Sequence, residues 1–140
     1  AFLLDESGHR SSSFSYPLTH DELKNLPFLK NHFFHPSVMF RRRFFKVTGL
    51  YDSRYSRGQD KELWLRGLKA GCRYANLPEQ LIEYSTGGYV KSWQTILIHG
   101  FSLLRMVKDL KIERGYFQAI GLFAYTAAIK LKIYRPKSLR

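Results

Sequence analysis

The sequence changes character at Thr86-Gly87-Gly88, and that break divides the chain into two unlike parts. Before it, short apolar runs alternate with turn signals. After it, Trp93, Leu97, Phe101 and Leu104 fall at spacings of four, four and three, with Ile96, Leu103 and Val107 beside them. That spacing predicts a helix with one broad apolar face. A second helix is predicted from near Gly115, with Phe117, Ile120, Ala124, Ala127, Ala128 and Leu131 on one side. The expected organisation is a mixed strand-and-helix portion over residues 1–88 and a basic amphipathic helical extension over 89–140. The longest stretch without a formal charge, Gly115 to Ile129, is fifteen residues, short of the roughly 20 that a membrane span requires.

Charge follows the same division. Residues 1–88 hold thirteen Lys/Arg against nine Asp/Glu, and residues 89–140 hold ten against two, so +8 of the net +12 lies in the second part. Such a surface suits an anionic membrane, a phosphate-rich substrate or nucleic acid, but no nucleic-acid-binding motif accompanies it. With 44% hydrophobic and 16% aromatic residues, the chain has the material for a core rather than for broad disorder. A single cysteine, Cys72, excludes an internal disulfide framework and a cysteine zinc site, and a reducing, cytoplasmic setting fits it. No signal peptide is visible, and the chain, which opens on Ala1, reads as a fragment or a trimmed protein.

In the first part, Ala1 to Asp5 and Arg10 to Tyr16 read as the arms of a hairpin around Glu6-Ser7-Gly8-His9. Thr19 and Glu22 form a capping-box pattern starting a helix over His20 to Leu26, and Pro27 stops it. Ser37 to Phe40 reads as a short buried strand. Phe44 to Val47 reads as a helical turn closed by Gly49 in a left-handed cap. Gln59 to Ala70, with Leu63, Trp64, Leu65 and Leu68, is expected as a helix ending at Gly71. Cys72 to Asn76 and Gln80 to Tyr84 read as strands.

The residues able to do chemistry gather around that helix. Asp60, just after Gly58 at a helix start, can accept a proton from a bound hydroxyl while the helix-terminal amides hold it ionised. It can equally be a carboxylate that only caps the helix. His35 before Pro36 can bind a metal or phosphate or relay a proton, or serve as an ordinary boundary residue. No second His or carboxylate sits at ligand spacing from it. Arg41-Arg42-Arg43 suits a solvated face or a phosphate. Trp64 and Tyr51 offer rings for a sugar face or for a core, and the Tyr84, Tyr89 and Trp93 cluster is equally open.

Over His35 to Tyr84 the sequence resembles the family 2, GT-A type inverting glycosyltransferases. His35-Pro36-Ser37-Val38-Met39-Phe40-Arg41-Arg42 is similar to the strand before the acceptor site, and Phe45-Lys46-Val47-Thr48-Gly49-Leu50-Tyr51-Asp52 to the helix and Gly-x-Tyr-Asp turn. Gly58-Gln59-Asp60-Lys61-Glu62-Leu63-Trp64-Leu65-Arg66 is similar to the Glu/Gln-Asp motif and its helix, Ala75-Asn76-Leu77-Pro78-Glu79 to the continuation, and Leu3-Leu4-Asp5-Glu6-Ser7-Gly8 to the upstream segment. The resemblance implies the C-terminal, acceptor-side part of a Rossmann-like α/β GT-A fold over residues 1–88, with the helical tail after it. It implies Asp60 as general base, with Gln59, Trp64, His35 and Arg66 at the acceptor.

The same resemblance implies a nucleotide-sugar donor, a saccharide or lipid-linked acceptor, and a divalent ion (magnesium or manganese) held by an Asp-x-Asp motif. No Asp-x-Asp occurs in these 140 residues. The expectation is therefore a glycosyltransferase portion that is inactive by itself, cytoplasmic or peripheral at the inner membrane face. The alternative is a non-catalytic module that docks through its basic tail on an anionic membrane or a partner protein.

Overall fold

The computed structural model describes residues 1–5, 7–13, 15–85, 93–113 and 115–130. Among them lie a three-stranded sheet and five α-helices: β1 (Phe2–Leu4), β2 (Arg10–Ser13), α1 (His20–Lys24), α2 (Arg42–Thr48), α3 (Gln59–Lys69), β3 (Glu83–Ser85), α4 (Trp93–Asp109) and α5 (Gly115–Lys130). The chain is thus mixed α/β. It divides into two compact units, residues 1–52 with 60–90, and residues 53–59 with 91–140.

In the first unit the hairpin forms as its turn chemistry dictates. The Asp5 carboxylate accepts the Ser7 and His9 amides at 2.9 Å each, an Asx-type closure that reinforces the backbone bonds from Asp5 to His9 and from Gly8 to Asp5. The sheet order is β2-β1-β3, with β2 antiparallel and β3 parallel to β1. The second arm is shorter than expected and ends at Ser13. The capping box at α1 is complete: Thr19 Oγ1 accepts the Glu22 amide, and the Glu22 carboxylate accepts the Thr19 amide at 3.0 Å. Leu23, the buried residue of this helix, enters the core.

Two expected strands are absent. Ser37 to Phe40 follows a single 3₁₀ turn at His35–Ser37, and Met39 is 95% exposed. Extended backbone becomes a strand only when a neighbouring chain supplies a ladder, and no described segment pairs with this one. Cys72 to Asn76 is likewise irregular. It is fixed by side-chain bonds instead, with Asn76 Nδ2 donating to the carbonyls of Pro17 at 2.7 Å and His32 at 3.1 Å. Of Gln80 to Tyr84, only the end joins β3.

The core of this unit is Leu23, Phe33, Phe44, Leu63 and Trp64, with Val38, Phe40, Phe45 and Tyr74 packed against it. Trp64 stacks on Phe40 at 5.3 Å and meets Phe33 edge-on at 5.2 Å. Such pairs add to the value of the area they bury.

In the second unit α4 and α5 pack on one another. Ile96, Leu103, Met106, Val107 and Leu110 of the α4 segment and Ala119 of α5 are buried. Tyr55, also buried, donates its hydroxyl to Asp109 at 3.0 Å, and Arg54 pairs with the same carboxylate at 3.3 Å. The broad apolar face that the sequence suggests for α4 is thus buried only in part: Ile96, Leu103 and Val107 turn inward, whereas Leu97 and Phe101 face outward. So do Phe117 and Ile120 of α5. The expected break at Thr86 to Gly88, and Tyr89, lie outside the described residues. No helix among the described residues is long and apolar enough to cross a membrane.

Candidate active site

Gly49 creates the turn on which the site depends. It closes α2 with φ +73° and ψ −174° and donates its amide to Phe45 at 2.9 Å. That backbone region is open essentially to glycine alone. The next residues, Leu50 and Tyr51, are held from behind by Arg66 of α3. Its guanidinium donates to the carbonyls of Thr48 and Leu50 and grips the Glu62 carboxylate through Nε at 2.8 Å and a terminal nitrogen at 2.7 Å. Glu62 is buried, so its charge is compensated by a planar fork that lysine could not reproduce.

Tyr51, held in this way, brings its hydroxyl to 3.0 Å from His35 Nε2. On the other side of the ring, His35 Nδ1 stands 3.9 Å from Asp60 Oδ2, beyond hydrogen-bond length but within ion-pair range. The His35 ring is also set by the edge of Trp64, at a centroid distance of 5.9 Å and 73° between planes. Burial raises the Tyr51 phenol above its usual range, and the negative charge of Asp60 adds to that rise. Tyr51 therefore stays a hydroxyl at neutral pH, able to donate to His35.

Asp60 lies in the first turn of α3, where the helix dipole favours a carboxylate. Its Oδ1 accepts the Lys61 amide at 2.8 Å, and its side chain is 34% exposed. The neighbouring Lys61 points inward instead. Its ammonium donates to the carbonyls of Phe28 at 3.0 Å and Lys30 at 2.9 Å. Burial lowers its pKa to about 8, against the opposing pull of Asp60.

The structure thus brings two sequence-predicted residues to one place, Asp60 and His35; Gln59, the residue before Asp60 in the chain, is half-buried. Trp64 and Arg66 have other occupations. Trp64 is 3% exposed in the core, so the ring offered for a sugar face is spent on packing. Arg66 serves as the clamp between Glu62 and the Gly49 turn rather than as a free acceptor contact. Tyr51 takes the place that Trp64 was expected to fill. Its signal in the sequence was the Gly49-Leu50-Tyr51-Asp52 run, which identifies a turn without saying what its aromatic touches.

A cleft of about 1000 Å³ also opens in the first unit, lined among others by Phe40, Phe44, Trp64, Tyr74, Asn76 and Leu81. Asp60, His35 and Tyr51 do not line it, and its one acidic lining residue is Glu79. Its walls mix these apolar side chains with His20, Arg41, Arg43 and Arg73. Among the described residues no group of three or more His, Cys, Asp or Glu is placed to hold a metal. The chain matches no protein-family model and shows no significant similarity to a curated protein or a solved structure.

Proposed function

We propose that this chain is the acceptor-side portion of an inverting, nucleotide-sugar-dependent glycosyltransferase, with Asp60 as general base. The observation that carries the reading is a part-exposed carboxylate in the first turn of α3 with the His35 imidazole 3.9 Å away, that ring in turn hydrogen-bonded to Tyr51. The family resemblance around Asp60 gives that carboxylate its task. An acceptor hydroxyl within about 3 Å of Asp60 gives up its proton to the carboxylate as its oxygen attacks the anomeric carbon. The new C–O bond forms on the face opposite the bond to the nucleoside diphosphate, which leaves with its electron pair. His35 stands beside the carboxylate on one side, and the Tyr51 hydroxyl is bonded to the far nitrogen of that imidazole.

Donor-binding residues and any metal ligands belong elsewhere in this reading, because the chain contains no Asp-x-Asp. The acceptor is a saccharide, free or lipid-linked, and the setting is cytoplasmic at the inner face of a membrane. General-base catalysis is worth about 10²- to 10⁴-fold. In the glycosyltransferase that contains this chain, Asp60→Asn is expected to lower transfer by that factor while leaving nucleotide-sugar binding unchanged. Transfer by Asp60→Asn within twofold of the parent, or efficient transfer by the 140-residue chain alone, would refute the assignment.

A further inference from the structure

The second unit buries one side of its helical hairpin and leaves large apolar side chains on another. Phe101 is 69% exposed, Phe117 82% and Ile120 57%, with Leu97, Ile98, Tyr116 and Tyr125 also exposed. These residues are not needed to join the helices, because the buried set is Ile96, Leu103, Met106, Val107, Leu110 and Ala119. On α4, Leu97, Phe101, Arg105 and Lys108 follow at spacings of four, four and three, and all four are exposed. One stripe thus runs from apolar to basic. On α5, Phe117, Ile120 and Ala124 form a second exposed stripe between Tyr116 and Tyr125, and Lys130 is the helix's one formal charge.

We propose that the α4–α5 hairpin docks this protein on an anionic lipid surface, its apolar stripes entering the headgroup region and its basic side chains facing lipid phosphates. Charge complementarity selects this occupant. Residues 89–140 carry a balance of +8, so a second copy seated face to face would bring like charges together. Nucleic acid would meet the charge but not leucine, isoleucine and phenylalanine standing in water. An anionic bilayer surface satisfies both, with tyrosines at the depth where amphipathic rings settle. No described helix is long and apolar enough to cross the bilayer, so the hairpin lies along it. This goes beyond the transfer reaction and does not depend on Asp60.

The test is co-sedimentation of the whole chain with vesicles of phosphatidylcholine containing about 30% phosphatidylglycerol, against pure phosphatidylcholine. Binding to the anionic vesicles alone, weakened by raising salt from about 0.1 M to 1 M, is expected. The variant Phe101→Ser/Phe117→Ser, altered only at exposed positions, should keep its circular dichroism and lose at least about tenfold in vesicle partition. Phe117→Trp should show a larger blue shift of its emission with anionic vesicles than the parent, which already carries Trp64 and Trp93. Asp60→Asn should bind vesicles like the parent, which separates this proposal from the catalytic one. Absence of binding, or equal binding by the double serine variant, would overturn it. So would a dimer that the serine substitutions dissociate.

Discussion

Acidification probes the core around His32. The ring is 1% exposed, and its Nδ1 has no hydrogen-bond partner among the described residues. Burial, with the Lys61 ammonium as a second cause, holds its pKa at about 4 instead of 6.5. As pH falls through 6.5, the unfolded chain gains a proton that the folded chain refuses until about pH 4. The contribution is therefore complete above 6.5 and is lost as pH falls toward 4. At 1.36 kcal/mol per unit, a gap of roughly 2.5 units amounts to about 3 kcal/mol, a large share of a typical stability of about 5–15 kcal/mol.

The perturbation is His32→Leu, which removes the proton site at similar volume and keeps the backbone carbonyl that accepts Asn76. The assay is urea unfolding of both proteins at about pH 7.5 and pH 4.5, followed by the Trp64 indole resonance in the same unit. The parent should lose about 2–3 kcal/mol more than the variant between the two conditions. Acid effects common to both proteins cancel in that difference. A His32 ring proton that titrates near 6.5, or equal acid losses in the two proteins, would refute the reasoning.

Two further substitutions test the frame of the site. Arg66→Lys keeps the charge beside buried Glu62 but removes the fork that also holds the Thr48 and Leu50 carbonyls; a loss of about 2–3 kcal/mol in urea unfolding is expected, and a loss under about 0.5 kcal/mol would show that the clamp carries no weight. Gly67→Ala would drive a methyl into the Tyr74 hydroxyl and place it 2.8 Å from Phe44 Cε2. About 1–3 kcal/mol of overpacking cost should follow, and a thermal midpoint equal to the parent's would contradict this packing.

What the sequence disclosed depended on how local the physics was. The Thr19–Glu22 box and the helix between Gly58 and Gly71 are specified by residues within a few positions of each other, and both formed. The strands expected at Ser37 to Phe40 and Cys72 to Asn76 needed distant partners, and apolar alternation cannot name a partner. Helical periodicity gave α4 and α5 their apolar character, but which side is buried depends on the second helix. Phe101 and Phe117 consequently ended up in water.

The chemistry at Asp60 was legible as residue types and not as geometry. His35 and Asp60 are 25 positions apart, and Tyr51 enters only because Arg66 holds the Gly49 turn from the far side of α3. Within that helix the charged side chains divide by direction. Lys61 and Glu62 turn inward to carbonyls and to Arg66, and Trp64 fills the core. Each is committed to holding the fold, whereas the Asp60 carboxylate remains one-third exposed with one oxygen 3.9 Å from an imidazole. In the proposed reading that difference separates Asp60 from a carboxylate that only caps its helix, and the Asp60→Asn transfer assay decides between the two.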